Sequence, residues 1–277
     1  MLSLCFSISD WWLLPVGVII GTYGTLIGAG GGFLLMPLLI LACPTESPAV
    51  MTAISLAMIC ANATSGTYAY ARQKRVDFGL GICYALASIP GAFLGEAMVK
   101  HIPRKEFNLC FGAVLFLAAT YLLLNPRRKG ATDAHDEEAV RNFIQHGVRP
   151  YSFRRAFWIG VPVSLAVGVL SSLLGIGGGI IHVPLLSNVL HFPVHMATAT
   201  SHFVLVFTTA AGTVAHALDG TLWPGLDKAI WLSVGVIPGA QIGAKLSKRL
   251  KGAWIIRGLA MALAVVGVRI VLLALYR

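Results

Sequence analysis

Two short stretches decide the fold: Gly28-Ala29-Gly30-Gly31-Gly32 and Gly175-Ile176-Gly177-Gly178-Gly179. Each lies in the middle of an apolar segment, at about 11–42 and 156–190. Both segments are too long for one simple crossing, because a spanning helix takes about 20 residues across a ~30 Å hydrocarbon core. Consecutive glycines weaken a helix interior, and the first run then resumes as Phe33-Leu34-Leu35-Met36-Pro37. Each segment therefore reads as a hairpin that enters as far as the glycines and returns.

Working outward, the two stretches belong to a duplication. Pro15, Gly21, Gly28, Gly30, Gly31, Gly32 and Pro37 match Pro162, Gly168, Gly175, Gly177, Gly178, Gly179 and Pro184 at a constant offset of 147 (175 − 28). Gly66-Thr67 matches Gly212-Thr213 at 146, and Ile89-Pro90-Gly91-Ala92 with Gly95 matches Ile237-Pro238-Gly239-Ala240 with Gly243 at 148. The remaining apolar segments fall at about 49–71, 78–99, 106–124, 196–217, 228–246 and 253–275. This predicts an all-α polytopic membrane protein. It would have an N-terminal repeat over 1–124, a polar linker over 125–155 and a C-terminal repeat over 156–277. Each repeat is a glycine-broken hairpin followed by three transmembrane helices. In the linker, Thr132 is placed to cap a short helix that either lies on the membrane surface through Val140, Phe143 and Ile144 or is a loose connector.

Composition agrees. Of 277 residues, 57% are hydrophobic and 12% are charged, about half the ~25% charged residues of a soluble domain. The net charge of +10 lies in short clusters between apolar runs, the pattern of cytoplasmic loops rather than a nucleic-acid surface. With hairpins assumed, each repeat crosses an odd number of times and the second is inverted. Loop 72–75, the linker and 245–257 then share one side with 15 basic residues against 6 on the other. The positive-inside rule puts that side in the cytoplasm. The expected location is the inner membrane, multi-pass, with the N-terminus retained, since MLSLCFSISDWWLLP has neither a basic n-region nor a small-residue cleavage site. Cys5, Cys43, Cys60, Cys83 and Cys110 form no CxxC and read as buried small hydrophobes. No metal site or cofactor is expected.

Broken backbone at membrane depth is tolerated only inside protein or along a water-filled cavity. A restarted half-helix aims unpaired N–H groups and its positive dipole end at that cavity. Paired interruptions in two halves are a pointer to a transporter site. Gly30, Gly31, Gly32, Gly177, Gly178 and Gly179 are thus the core of the expected anion site. The helix after each break adds hydroxyl and amide groups: Ser55, Asn62 and Ser65 in the first copy, Thr200, Ser201 and Thr208 in the second. These can donate to an oxyanion or bond helix to helix. Thr25 and Ser171-Ser172 are weaker members of the set. His182 and His202 are candidates for a proton relay, with a neutral core histidine as the other reading. Glu96 and Lys100 read as a local pair one turn apart. GAGGGFLL lacks the Lys-Ser/Thr of a P-loop, and a membrane enzyme would need a nucleophile or carboxylate–metal cluster that is missing. No catalytic residue is expected.

The doubled GxGGGxxxxP, the Ser/Thr-rich helix ending in Gly-Thr and the repeated IPGAxxG resemble the TauE/SafE family of sulfite exporters and related anion permeases. The resemblance covers both halves. It implies a secondary transporter for a small sulfur-containing anion such as sulfite or a sulfonate, with the six glycines at its site. Two departures bear on specificity: Ala53-Ile54-Ser55 stands where the second copy has Ala199-Thr200-Ser201, and Leu35 aligns with His182. The expected partners are the anion and the lipid bilayer, with no nucleic acid. A homodimer is expected by analogy with other transporters. Export is the expected direction, with proton-coupled uptake or a non-transporting accessory role as alternatives.

Overall fold

The computed structural model describes residues 10–43, 45–124, 132–146 and 151–247, with Gly258, Met261, Ala264 and Val265. The expected last helix, 253–275, therefore lies almost wholly outside the described residues. The chain is helical: α1 Leu13–Ile27, α2 Gly32–Ala42, α3 Pro48–Arg72, α4 Phe78–Val99 and α5 Arg104–Leu124 make the first copy. Helix α6, Thr132–His146, crosses the linker. The second copy has α7 Phe153–Leu174, α8 Gly179–Pro184 with a π-helical turn at Leu185–Val189, α9 Val194–Leu218 and α10 Leu226–Leu246. Among the described residues, five stretches are long and apolar enough to cross a membrane: α3, α4, α7, α9 and Trp223–Leu246.

Local chemistry sets the ends. Pro48 opens α3 behind Ser47, whose Oγ accepts from Val50 N at 3.3 Å, and Asp77 Oδ1 caps α4 through Leu80 N at 3.2 Å. At the other end of α2, Arg104 donates to the carbonyls of Ile40 and Cys43, both at 3.0 Å, and of Glu46. It neutralises the negative end of that half-helix, a contact no sequence spacing announced.

Small residues set the pairing. Gly17 and Gly21 of α1 lie against Leu232, Gly235 and Val236 of α10, while Gly239 and Gly243 lie against Val18 and Thr22. Numbers rise together, so α1 and α10 run parallel. Leu165 and Val169 of α7 face Gly91 of α4, and Val169 and Leu173 face Gly95, so these two are also parallel. The two pairings exchange under the sequence repeat. Between them α3 meets its own counterpart α9 head to tail: Gly66 faces His202 and Gly212 faces Leu56. A Cβ at Gly91 or Gly95 would run into the α7 backbone, which is the close approach that small-residue packing in membranes uses.

The core gathers on the breaks, with Phe33, Met36, Met58, Ile59, Ile176 and Ile180 fully buried. Leu86, Leu94, Leu117 and Trp158 are largely exposed, as lipid-facing residues of a bundle must be. Helix α6 differs from the surface-lying expectation. Val140 is buried and Phe143 packs against the buried cluster that Val140 joins, while Ile144 stays exposed, so part of its apolar face is taken up by the bundle. Gly91→Ala or Gly95→Ala is expected to cost about 1–3 kcal/mol by overpacking, read as a lower melting midpoint in lipid or detergent. An unchanged midpoint would contradict the close α4–α7 seam.

Candidate functional site

Helix α1 ends where Gly28 turns left-handed (φ 84°), and Gly28 and Ala29 N–H groups fold back on Gly24 O. Gly30 and Gly31 follow at φ 77° and 88°, and the second break repeats this at Gly175, Gly177 and Gly178 with φ 64°, 80° and 63°. Those values suit glycine and strain any other residue. The two breaks touch. Gly179 faces the Gly28 carbonyl and Ala29, Gly32 faces the Gly175 carbonyl and Ile176, and Gly30 and Gly177 share Ile59. The segments thus pass one another in opposite directions.

A helix C-terminus leaves carbonyls without intrahelical donors, and here each copy supplies the other. Ser55 Oγ donates to Gly175 O at 2.6 Å, and Ser201 Oγ donates to Gly28 O at 3.1 Å. The first break has a further network. Asn62 Nδ2 donates to Gly30 O at 3.1 Å, which turns Oδ1 to Thr25 Oγ1, also at 3.1 Å. Thr25 spends its hydroxyl hydrogen on Asn62, so it accepts from His202 Nε2 at 3.2 Å. His202 is then the Nε2–H tautomer. Tyr70 OH donates to Thr25 O at 2.8 Å and lies edge-on to the His202 ring.

Ser55, Asn62 and Ser201 therefore converge on the breaks, and Ser65, Thr200 and Thr208 do not. Thr200 Oγ1 accepts from Asp77 N at 3.1 Å at the start of α4, and Thr208 pairs with Ser88 Oγ at 2.6 Å between α9 and α4. Ser65 donates to Ile237 O at 2.8 Å on the outer side of α3. There it lines an open cavity of about 690 Å³ with Cys60, Thr64, Tyr68, Thr213 and Gln241. His182 meets Ser164 Oγ at 3.0 Å and stacks on Tyr84, in a network separate from that of His202. Tyr70 and Ile59 escaped sequence reasoning, since neither carries a spacing signal. Ser171 and Ser172 are fully buried and their Oγ atoms have no hydrogen-bond partner among the described residues.

The half-helices after the breaks match in extent, Gly32–Ala42 and Gly179–Val189, 11 residues each, the second closing in the π turn at Leu185–Val189. In this conformation the backbone of each break fills the space before the other. An ion could enter only if the breaks part.

A match to the family model described as "Sulfite exporter TauE/SafE" runs over residues 13–270. The chain belongs to the TauE/SafE sulfite exporter family. It is similar to the probable membrane transporter protein YunE of Bacillus subtilis, 32% identical over 268 residues that cover 94% of this chain and 93% of that one. A probable membrane transporter protein of Methanocaldococcus jannaschii is 25% identical over 250 residues, covering 86% of each chain. The probable membrane transporter protein MamO of Paramagnetospirillum magneticum is 31% identical over 181 residues, which are 58% of this chain and 28% of that protein. No solved structure matches. Family and relatives are named as transporters rather than enzymes. With five apolar spans, this TauE/SafE chain is a multi-pass membrane protein.

Within it, Ser55→Ala or Ser201→Ala is expected to lower stability by about 1–2 kcal/mol, since each strands a buried carbonyl. Thr64→Ala should cost less, because the exposed Thr64 hydroxyl only returns to Cys60 O at 2.7 Å. Melting midpoints of the three variants check this, and equal shifts would contradict the reciprocal clamp.

Proposed function

We propose that this protein exports sulfite or a related small sulfonate or oxyanion across the inner membrane, binding it where the two glycine breaks meet. The observation that carries this reading is the reciprocal clamp, Ser55 on Gly175 and Ser201 on Gly28. Irregular backbone of this kind, held from both halves and filled by no side chain of its own, is where a transporter keeps its substrate. The anion would displace the facing carbonyls and take hydrogen bonds from the N–H groups at the start of α2 and from the freed Ser and Asn side chains.

Head-to-tail packing of α3 on α9 supports inverted repeats, as does the parallel pairing of α1 with α10 and of α4 with α7. Two contacts support the three basic loops sharing one side. Gln73 Nε2 donates to Ala244 O at 3.1 Å, and Tyr151 OH donates to Asp77 Oδ2. With that side cytoplasmic, export needs no coupled ion. Moving one negative charge outward gains ~2.3 kcal/mol per 100 mV. A second reading, proton-coupled uptake, is favoured by the buried Glu96.

Reconstitution into liposomes with an imposed potential tests the reading, with sulfite, sulfate, sulfoacetate and a small carboxylate as substrates. The expected result is saturable, potential-sensitive sulfite flux. Protein that is folded and inserted yet moves none of the four would contradict it.

A further inference from the structure

At one end of the bundle, next to the Gly175 break, four ionisable side chains meet. Glu96, in the last turn of α4, is 5% exposed. Lys100 Nζ lies 2.7 Å from Glu96 Oε1 and also pairs with Asp219, which follows α9. The two carboxyls, Glu96 and Asp219, thus share the one Lys100 ammonium. His216 Nδ1 is 4.0 Å from Glu96 Oε1 and 2.7 Å from Thr221 Oγ1, while its Nε2 meets Thr52 Oγ1 at 3.4 Å. Thr52 leads to the break, since a Cβ on Gly175 would sit 3.0 Å from Thr52 Cα. The other surfaces packed here, residues 48–59 of α3 and 165–174 of α7, carry no ionisable side chain. Nearby His101 turns to Ala97 O at 3.0 Å.

Charge counting singles out a missing proton. Two ionised carboxylates and one ammonium, with a neutral His216, leave one negative charge. One ammonium shared by two carboxylates leaves a like-charge pair, which favours a proton on the more buried of the two, Glu96. The pseudo-equivalent positions at the other end hold Ala244, Tyr70 and Gln73 in place of Glu96, His216 and Asp219, and Gln73 simply bonds Ala244 O. A carboxylate buried at membrane depth in one copy only is by default a candidate functional group.

We propose that Glu96 is a proton site linked to anion binding: one proton from solvent settles on Glu96 as an anion occupies the breaks, and returns to the same solvent when the anion leaves. Uptake removes the negative charge that would otherwise repel the anion beside Gly175. Asp219 is the partner that stays charged. The neighbouring Glu96 carboxyl, and then Lys100, hold its carboxyl below the usual carboxylate range. Asp219 and Glu96 together hold the Lys100 ammonium above its ordinary value. The inference builds on the transporter reading: the proton returns to the side it came from, so the charge moved is still that of the anion.

Infrared difference spectra of the wild-type protein in lipid, with minus without methanesulfonate at neutral pH, test it. That probe stays ionised, so any carboxyl proton gained belongs to the protein. The expected result is a gain in the carboxylic-acid C=O stretch that is absent in Glu96→Gln. Wild-type affinity should tighten roughly tenfold per unit fall in pH, while Glu96→Gln is flat. A wild-type spectrum without the band, or a band that survives in Glu96→Gln, overturns the proposal. The wild-type arm holds even where the variant fails to insert. Sulfite flux on the same preparation separates the two readings: flux without the band sinks the proton site alone, and neither flux nor band sinks both.

Discussion

A carbonyl freed by a helix break has no water to turn to inside a bilayer, and this fold is arranged around meeting that demand. Gly28 O, Gly30 O and Gly175 O are met by Ser201, Asn62 and Ser55. Two of the three donors come from the opposite half of the chain. Neither repeat can therefore close its own break, which is a direct reason for the two copies to stay together. The same requirement brings α3 against α9 head to tail, because only that arrangement sets both serines over both breaks at once. It also makes the site conditional. What seals the breaks is a set of single hydrogen bonds, each worth only ~0.6–2 kcal/mol in a membrane, weak enough for the proposed anion to compete for them.

Much of this was legible in the sequence. The offset of 147 located both breaks (175 − 28), and the glycines found there do adopt left-handed backbone. Ser55 and Ser201 were visible because they hold equivalent places after each break. Ser65, Thr200 and Thr208 shared their composition but not their direction, since one helical position decides whether a hydroxyl faces the break or a neighbouring helix. Thr200 bonds the start of α4 and Ser65 bonds α10. No spacing rule reveals that Arg104 would close the end of α2, or that Tyr70 would reach Thr25 O. Those contacts join segments distant in sequence and exist only once the bundle is packed. The linker helix gave the right face but not its partner, because an apolar stripe fits a bilayer surface and a protein groove alike.

Where the copies differ, the duplication is most informative. His202 replaces Leu56 of the first copy and enters the Thr25–Asn62 network; His182 replaces Leu35 and sits with Ser164. Glu96 replaces Ala244 and joins Lys100, Asp219 and His216. These substitutions make the two ends unlike: Glu96 meets Lys100 at one, and Gln73 bonds Ala244 O at the matched place of the other. A carrier that presents one site to two sides in turn needs two closures, and chemically distinct closures let the two sides respond to different conditions.

The central claim is that the touching glycine breaks are the transport site, and a matched pair of substitutions tests it most directly. Gly177 (φ 80°) and Gly220 (φ 81°) have the same backbone strain, but a Cβ on Gly177 meets Ile59 at 3.1 Å, whereas one on Gly220 meets only Trp223 at 3.7 Å. An alanine in left-handed backbone costs roughly 1–2 kcal/mol at either position, so any difference in function belongs to the place. Sulfite flux should fall at least about tenfold in Gly177→Ala, a barrier change of ~1.4 kcal/mol, and stay near wild type in Gly220→Ala. Undiminished flux through folded, inserted Gly177→Ala would contradict the account.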